Sequence, residues 1–206
     1  MGGFDLSGKS IVVVGGTTGI GFSAAQTFIA HGARVVVVGR NAKSVKDAQG
    51  ALGTDGFAFS GDAVNPRTAV RAIRAAVSKF GGFHGLYHVA GGSGRSMGDG
   101  PLHEITDEGW RKTLNLNLTS LMLSNRAAVQ QFLSQRTGGT ILNISSVLGW
   151  SPSIRHFATH GYAASKAAVL GFSQAIAAYY APTDIRVNVL APALVETPMA
   201  RRAVGD

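Results

Sequence analysis

The chain contains no cysteine, which excludes disulfides and thiolate-held metals and fits a cytosolic protein. It has no apolar run long enough to span a bilayer, and Met1–Asp5 lacks the charged and apolar regions of a secretory leader, so neither is expected. Acidic residues are scarce, 11 Asp and Glu against 19 Lys and Arg, for a formal net charge of +8. That balance raises the question of nucleic-acid binding. The basic residues are dispersed, however, with no Lys/Arg-rich run and no interleaving of basic and aromatic residues. Arg67, Arg71 and Arg74 form one helical stripe, the usual look of a solvated face. Repeats, low-complexity tracts and linkers are also missing. The six histidines make no His-Glu-x-x-His pattern. His156 and His160 fall in an expected loop, which puts them at the mouth of a site rather than on a metal.

What is present is a chain of 206 residues with 45% hydrophobic side chains, enough for one substantial core. Strand-like runs are expected at Ser10–Val14, Arg34–Gly39, Gly56–Ser60, Gly85–Val89, Thr140–Ile144 and Arg186–Leu190. Helices are expected at Ile20–His31, Ala42–Leu52, Pro66–Phe80, Asp107–Arg136 and Tyr162–Ala181. Regular β-α alternation implies right-handed crossovers and a doubly wound parallel sheet, an α/β fold with helices on both faces. The unalternated run Val35–Val38 suits a strand buried on both sides. Nothing suggests a second domain. Gly91–Gly94 and Gly98–Pro101 read as a flexible loop at the active site.

Three features carry chemistry. In Val12–Gly21, a β-branched run leads into Gly15, Gly19 and Gly21 and then into a helical pattern. Glycines let such a turn tighten and let the backbone approach an anion, toward which the first helical N–H groups point. In Gly138–Val147, an apolar strand ends in Ser145 and Ser146, and strand ends are where open α/β sheets place ligands. In Tyr162-Ala163-Ala164-Ser165-Lys166, a helical spacing sets a phenol and an ammonium on one face. A cation held close to a phenol favours the phenolate, which is expected to lower the tyrosine's pKa. Alone, the pair reads by default as a snorkelling lysine beside a half-buried tyrosine.

Together the glycine motif, the strand-end serines and Tyr-x-x-x-Lys resemble the short-chain dehydrogenase/reductase family, from about Leu6 to Met199. The resemblance implies a Rossmann-type sheet, a nicotinamide cofactor, and hydride exchange with a carbonyl or secondary alcohol. It assigns Ser146 to the substrate oxygen, Tyr162 to general acid or base, and Lys166 to its partner and to the nicotinamide ribose. The family's catalytic asparagine falls on Asn117, with Asn115 its neighbour and competitor. An amide there can hold a water linking the lysine to solvent, while either Asn could equally cap or pack within a helix. The implied cofactor contacts are Gly15, Thr17, Thr18, Gly19, Ile20, Gly21, Arg40, Asn41, Asp62, Ala63, Ala90, Gly91, Pro192, Ala193, Val195 and Thr197, besides Tyr162 and Lys166. No metal is implied.

Cofactor choice is read from the end of the second strand, where NAD sites usually carry a carboxylate. Here Gly39 and Arg40 follow Val38, so NADP(H) is expected over NAD(H). Arg40 read alone also suits a solvated strand end. Asp62 fits the family's adenine-contacting acid, or a turn or capping residue before Pro66.

Three positions depart from the family pattern. Val14 stands for the usual Thr, His88-Val89-Ala90-Gly91 for Asn-Asn-Ala-Gly, and Pro192-Ala193 for Pro-Gly. Ala193 is disfavoured if its position needs positive φ.

The sequence stops at Asp206, where the family continues through a substrate-covering segment and a last strand. A catalytically weak NADP-binding or scaffold protein is therefore the alternative to a reductase. The family also implies a homodimer or homotetramer built on the Asp107–Arg136 and Tyr162–Ala181 helices, and the lack of cysteine makes a cytoplasmic location the expectation. Its substrate would be a small carbonyl or alcohol compound, such as a ketone, sterol, xenobiotic or 3-oxoacyl thioester. Trp150, Phe157 and Leu194 hint at an apolar or aromatic one.

Overall fold

The computed structural model describes residues 4–153 and 157–197. His156 and the stretch 198–206 lie outside the described residues. Six strands form one parallel sheet: β1 (Ser10–Val14), β2 (Arg34–Gly39), β3 (Gly56–Ser60), β4 (Gly85–His88), β5 (Gly139–Ile144) and β6 (Ile185–Leu190). Their spatial order is β3-β2-β1-β4-β5-β6, with Val12 paired to Val36 on one side and to Leu86 on the other. This is the doubly wound order in which the chain reverses direction across the sheet between β1 and β4.

Strand alternation decides which helix packs where. Val12, Val14, Val36 and Val38 point to one face and bury against α3 (Pro66–Phe80) and α5 (Ser120–Gln135). Val13, Val35 and Val37 point to the other and bury against α1 (Gly19–Ala30) and α2 (Ala42–Leu52). An unbroken valine run is therefore needed, because both faces are covered. On the first face Asn143 of β5 exchanges amide hydrogen bonds with Asn125 of α5. It also donates to Ser173 of α6 (His160–Tyr180), which ties two helices to one strand without leaving a buried amide unpaired.

The helix expected over Asp107–Arg136 divides. It runs as α4 (Asp107–Leu114), one π-helical turn (Asn115–Thr119) and α5, and ends where Arg136 adopts φ 57°. The π turn inserts a residue, a local irregularity that propensity does not encode. The catalytic-motif helix α6 begins at His160, two residues before the expected start, because a cap from a distant loop secures its first turn. The remaining strand and helix ends agree with expectation to within a residue.

The scattered positive charge is partly absorbed along the β3 edge. The cationic ends of Arg71 and Lys79 lie 5.2 and 4.3 Å from the ring centroids of Phe59 and Phe57. No helix among the described residues is long and apolar enough to cross a membrane.

Phe132 stacks on Phe83 with ring centroids 4.7 Å apart, and its ring fills the place where any side chain on Gly139 would go. Both rings are fully buried. Replacing Phe132 with Ala should therefore cost about 3–5 kcal/mol of stability. Urea unfolding of Phe132→Ala against wild type checks this, and a loss below about 1 kcal/mol would contradict the packing described.

Candidate active site

The site opens where β1 and β4 part. Gly15 and Gly16 donate to the Val38 carbonyl at 2.9 and 3.0 Å, while Val89 and Ala90 donate to the Val14 carbonyl at 2.8 and 2.9 Å. The two chains then diverge and leave a crevice at the carboxyl ends of the strands. Gly15 has φ +87°, and a Cβ on it would lie 2.6 Å from the Ala90 nitrogen. A Cβ on Gly21 would strike the Gly15 carbonyl oxygen. Both positions are closed to any other residue. Val14, standing for the family's Thr, is buried in the core, and the Val38 carbonyl accepts from the backbone that follows it.

Thr18 occupies the N-cap of α1 without a side-chain cap, and Gly19 follows with φ +54°. The first N–H groups of α1 are thus left for an outside acceptor. Ile20 packs against the core beneath. A side chain on Gly39 would collide with Thr17, whose hydroxyl lies 3.2 Å from that of Ser44. Arg40 is exposed beside this opening, and Asn41 caps α2 by accepting from Ser44 N. The arrangement fits a dinucleotide: a glycine cradle with uncapped amides for a pyrophosphate, and a cation where the adenosine end would lie.

The catalytic candidates converge on the other side of the crevice. Asn115 is exposed, whereas Asn117 is fully buried in the π turn. Its Oδ1 accepts from Gly92 N at 2.9 Å, and its Nδ2 donates to the carbonyls of Gly92 (2.9 Å) and Thr113 (3.0 Å). Both amide donors are engaged, so the side chain acts as a clamp on the loop after β4 rather than as a water donor. That loop is correspondingly not the loose segment its glycines suggested. A Cβ on Gly91 would lie 2.6 Å from Asn117 Oδ1 and 3.4 Å from Lys166 Nζ, so one small residue touches both.

Lys166 is only 3% exposed, and its ammonium donates to the Ile144 carbonyl at 3.0 Å. Burial lowers its pKa to about 8. Its Nζ lies 5.6 Å from the centroid of the Tyr162 ring. Tyr162 departs from the expected lowering: burial raises its pKa, and the nearby Ser146 hydroxyl offsets only part of that. The cation sits against the ring and the Ile144 carbonyl, so desolvation wins over attraction. Ser146 lies at the end of β5, nearly buried, and its Oγ also accepts from Leu148 N at 3.2 Å.

The outlying residues divide. Asp62 forms a local turn by accepting from Val64 N at 3.2 Å, and Asn65, not Asp62, caps α3. Ala63 and Ala90 pack partly buried against the core. Pro192 accepts from Val147 N at 3.1 Å, which ties the segment after β6 to the strand end that carries Ser146. Ala193 does not have positive φ, so its methyl is tolerated. Ala193 and Val195 are exposed, and Thr197 is half-buried.

Two further residues shape the site without having been assigned a role. His88 is fully buried, with Nε2 donating to the Ala90 carbonyl at 3.1 Å and Nδ1 facing the Ser124 hydroxyl at 2.9 Å. Burial and the Lys166 charge push its pKa down to about 3, so it is a neutral brace for the cofactor loop. Its departure from the family's Asn was the visible signal. Ser145 donates to the Lys166 carbonyl at 2.7 Å and so locks α6 onto β5.

The family model described as short chain dehydrogenase matches residues 9–205. A 2,5-dichloro-2,5-cyclohexadiene-1,4-diol dehydrogenase of Sphingobium indicum is 32% identical over 203 residues, covering 98% of this chain and 78% of that protein. A 3-alpha-(or 20-beta)-hydroxysteroid dehydrogenase of Mycobacterium bovis is 34% identical over 194 residues, covering 94% and 72% respectively. The crystal structure of a 3-ketoacyl-(acyl-carrier-protein) reductase from Brucella melitensis complexed with NADH superposes with a TM-score of 0.86 at 26% identity, covering 96% of this chain and 80% of that one. With the sheet order, the glycine cradle and the Ser146–Tyr162–Lys166 cluster, these similarities show that the chain belongs to the short-chain dehydrogenase family, oxidoreductases acting on CH-OH and C=O groups.

Proposed function

We propose that the protein is an NADP(H)-dependent reductase of a small carbonyl compound, or its reverse, with Tyr162 as the proton donor. The observation that carries this reading is the placement of the Ser146 hydroxyl within electrostatic reach of the Tyr162 phenol, with the buried Lys166 ammonium 5.6 Å from the centre of the Tyr162 ring. Two hydroxyls that share one side of the crevice can both donate to a single substrate oxygen. Preorganised donors act most strongly where negative charge develops, on the oxygen of a carbonyl being reduced.

The cofactor would lie across Gly15–Gly21, Ala90 and Gly91, with Lys166 and Tyr162 at the nicotinamide ribose and Pro192–Thr197 over the ring. When bound, it supplies hydride to the substrate carbon. Tyr162 then gives its phenolic proton to the substrate oxygen. Its raised pKa keeps it protonated at neutral pH, which suits an acid. Lys166, near 8, holds a proton it can pass on, and the resulting phenolate sits beside that cation. Ser146 orients the oxygen, and Asn117 holds Gly92 so that the loop keeps its distance from Lys166.

NADP(H) is favoured by Arg40 at the end of β2, with no carboxylate beside it in sequence and the Ser44 hydroxyl at the start of α2. Arginine's planar fork suits the additional phosphate. The NADH in the Brucella melitensis structure belongs to that protein. Cytoplasmic location and an assembly of two or four copies through the outer faces of α5 and α6 are part of the same reading. The exposed Leu133 and Tyr179 on those helices support it.

Three experiments test the reading. Tyr162→Phe should lower kcat for ketone reduction by roughly 100- to 10,000-fold with NADPH affinity unchanged. Near-normal turnover would sink the mechanism. Arg40→Ala should raise the NADPH Kd about tenfold or more and leave that for NADH almost unchanged, read by fluorescence titration. Equal effects on both cofactors would overturn the assignment of Arg40.

The third is pH dependence. A proton held by a group with a pKa of about 8 is present below that pH and lost above it. Reduction rates should therefore be highest below about pH 8 and decline above it, while alcohol oxidation should show the opposite trend. A reduction profile flat from pH 6 to about 10 would remove Lys166 from the proton path.

A further inference from the structure

We infer that Asp99 is a positioning residue for Tyr162, capping the helix that carries it from a loop more than sixty positions away in the chain. The inference rests on the role given to Tyr162 above. Helix α6 starts without a local cap, because Thr159, at its N-cap position, makes no side-chain hydrogen bond to it. Asp99 takes over that function. Its Oδ1 accepts from Gly161 N and its Oδ2 from Tyr162 N, both at 2.8 Å, and His160 N donates to the Gly100 carbonyl at 3.2 Å. Three successive backbone donors of the first turn are thus held by one short loop.

Asp99 is 4% exposed, and no Lys or Arg among the described residues forms an ion pair with it. A buried carboxylate without a counter-cation is costly unless its oxygens are hydrogen-bonded. Here its compensation comes from the two N–H groups and the positive end of the α6 dipole. Two glycines let the chain pack close against it. A Cβ on Gly161 would meet Asp99 Oδ1 at 3.0 Å, and one on Gly94 would run into Thr113 and lie 2.8 Å from Asp99 Cβ. The loop bends back on itself through Asp99 N to the Gly94 carbonyl (3.0 Å), with Gly98 at φ +96°.

The consequence concerns placement. One of the two clamped amides belongs to Tyr162 itself, so the carboxylate fixes the main chain from which the phenol projects. A displacement of the order of 1 Å at a reacting group can cost about 100-fold in rate. Asp99 also lines a cleft of about 410 Å³ with Arg95, Pro101, Glu104 and Ala158. The wall of that cleft and the placement of the proton donor therefore share one residue.

The test compares wild type, Asp99→Asn and Asp99→Ala by amide hydrogen exchange at Gly161 and Tyr162, by kcat and KM for ketone reduction, and by NADPH titration. In Asp99→Ala, exchange at both amides should quicken about 10- to 100-fold and kcat should fall by a similar factor, with the NADPH Kd within about twofold of wild type. Asp99→Asn, with one acceptor oxygen, should fall between the two. A merely structural role would lower the unfolding temperature without changing kcat per folded molecule well below it.

Unchanged exchange in Asp99→Ala, or unchanged kcat with faster exchange, overturns the inference. So does a loss of kcat matched by an equal loss of NADPH affinity. Should Asp99→Ala fail to fold, Asp99→Asn decides alone: faster exchange at one amide with lowered kcat supports the inference, and wild-type values for either overturn it. If wild-type protein binds NADPH but reduces no carbonyl compound, the functional reading fails and takes the positioning role with it. The exchange data then stand for the cap alone.

Discussion

The close approach of Gly15 to Ala90 is the constraint from which the rest of the site follows. Two strand ends must touch there before they part, and the 2.6 Å that would separate a Cβ on Gly15 from the Ala90 nitrogen leaves room for a hydrogen only. That contact sets where the crevice opens and how far the loop after β4 travels before it meets Asn117 in the π turn. Because Ala90 is fixed, Gly91 and Gly92 fall against Asn117 and Lys166. A wider crossover would move the clamp and the ammonium apart. The core serves this geometry: with valines buried on both faces of β1 and β2, neither strand can slip by a residue without turning its whole pattern over.

Electrostatically, the site is organised around one buried cation. Lys166 loses most of its hydration and regains a single carbonyl from Ile144, so its proton is held loosely, at a pKa of about 8. Its neighbours are chosen to be neutral. His88 is held uncharged by burial and by that same cation, and Tyr162 stays protonated because desolvation outweighs the effect of the nearby Ser146 hydroxyl. A second fixed charge of the same sign would drive the ammonium proton off altogether, whereas a carboxylate at contact would trap it. The only buried carboxylate among the described residues, Asp99, is turned to the helix backbone instead.

How much of this was legible in the sequence depends on the range of the interaction concerned. The glycine turn, the valine strands and the pairing of Tyr162 with Lys166 are local patterns, and each stands where its spacing put it. The identity of the clamping asparagine was not local. Asn115 and Asn117 are chemically alike and lie on opposite sides of a helix, and only the packing of that helix decides which one faces inward. The lowered tyrosine pKa failed for a related reason. Spacing fixes that Tyr162 and Lys166 share a helix face, but not that the ammonium turns toward the Ile144 carbonyl and the ring plane. Asp99 was hidden furthest, since an Asp between two glycines reads as a turn until the fold brings α6 to it.

Asn117 and Asp99 solve the same problem with different chemistry. Both hold main chain rather than ligand, and both reach a segment that could not hold itself: Gly92, in a loop without regular partners, and the first turn of an uncapped helix. An amide suits the first, because Gly92 offers a donor and an acceptor together and Asn presents one of each. A carboxylate suits the second, because the start of a helix offers donors only and a positive dipole end. Exchanging the two residue types would leave an unpaired donor facing Tyr162 N and one carboxylate oxygen facing the carbonyls of Gly92 and Thr113. The polarity of each backbone segment thus dictates the side chain that can fix it, and the catalytic group in turn inherits its position from those two choices.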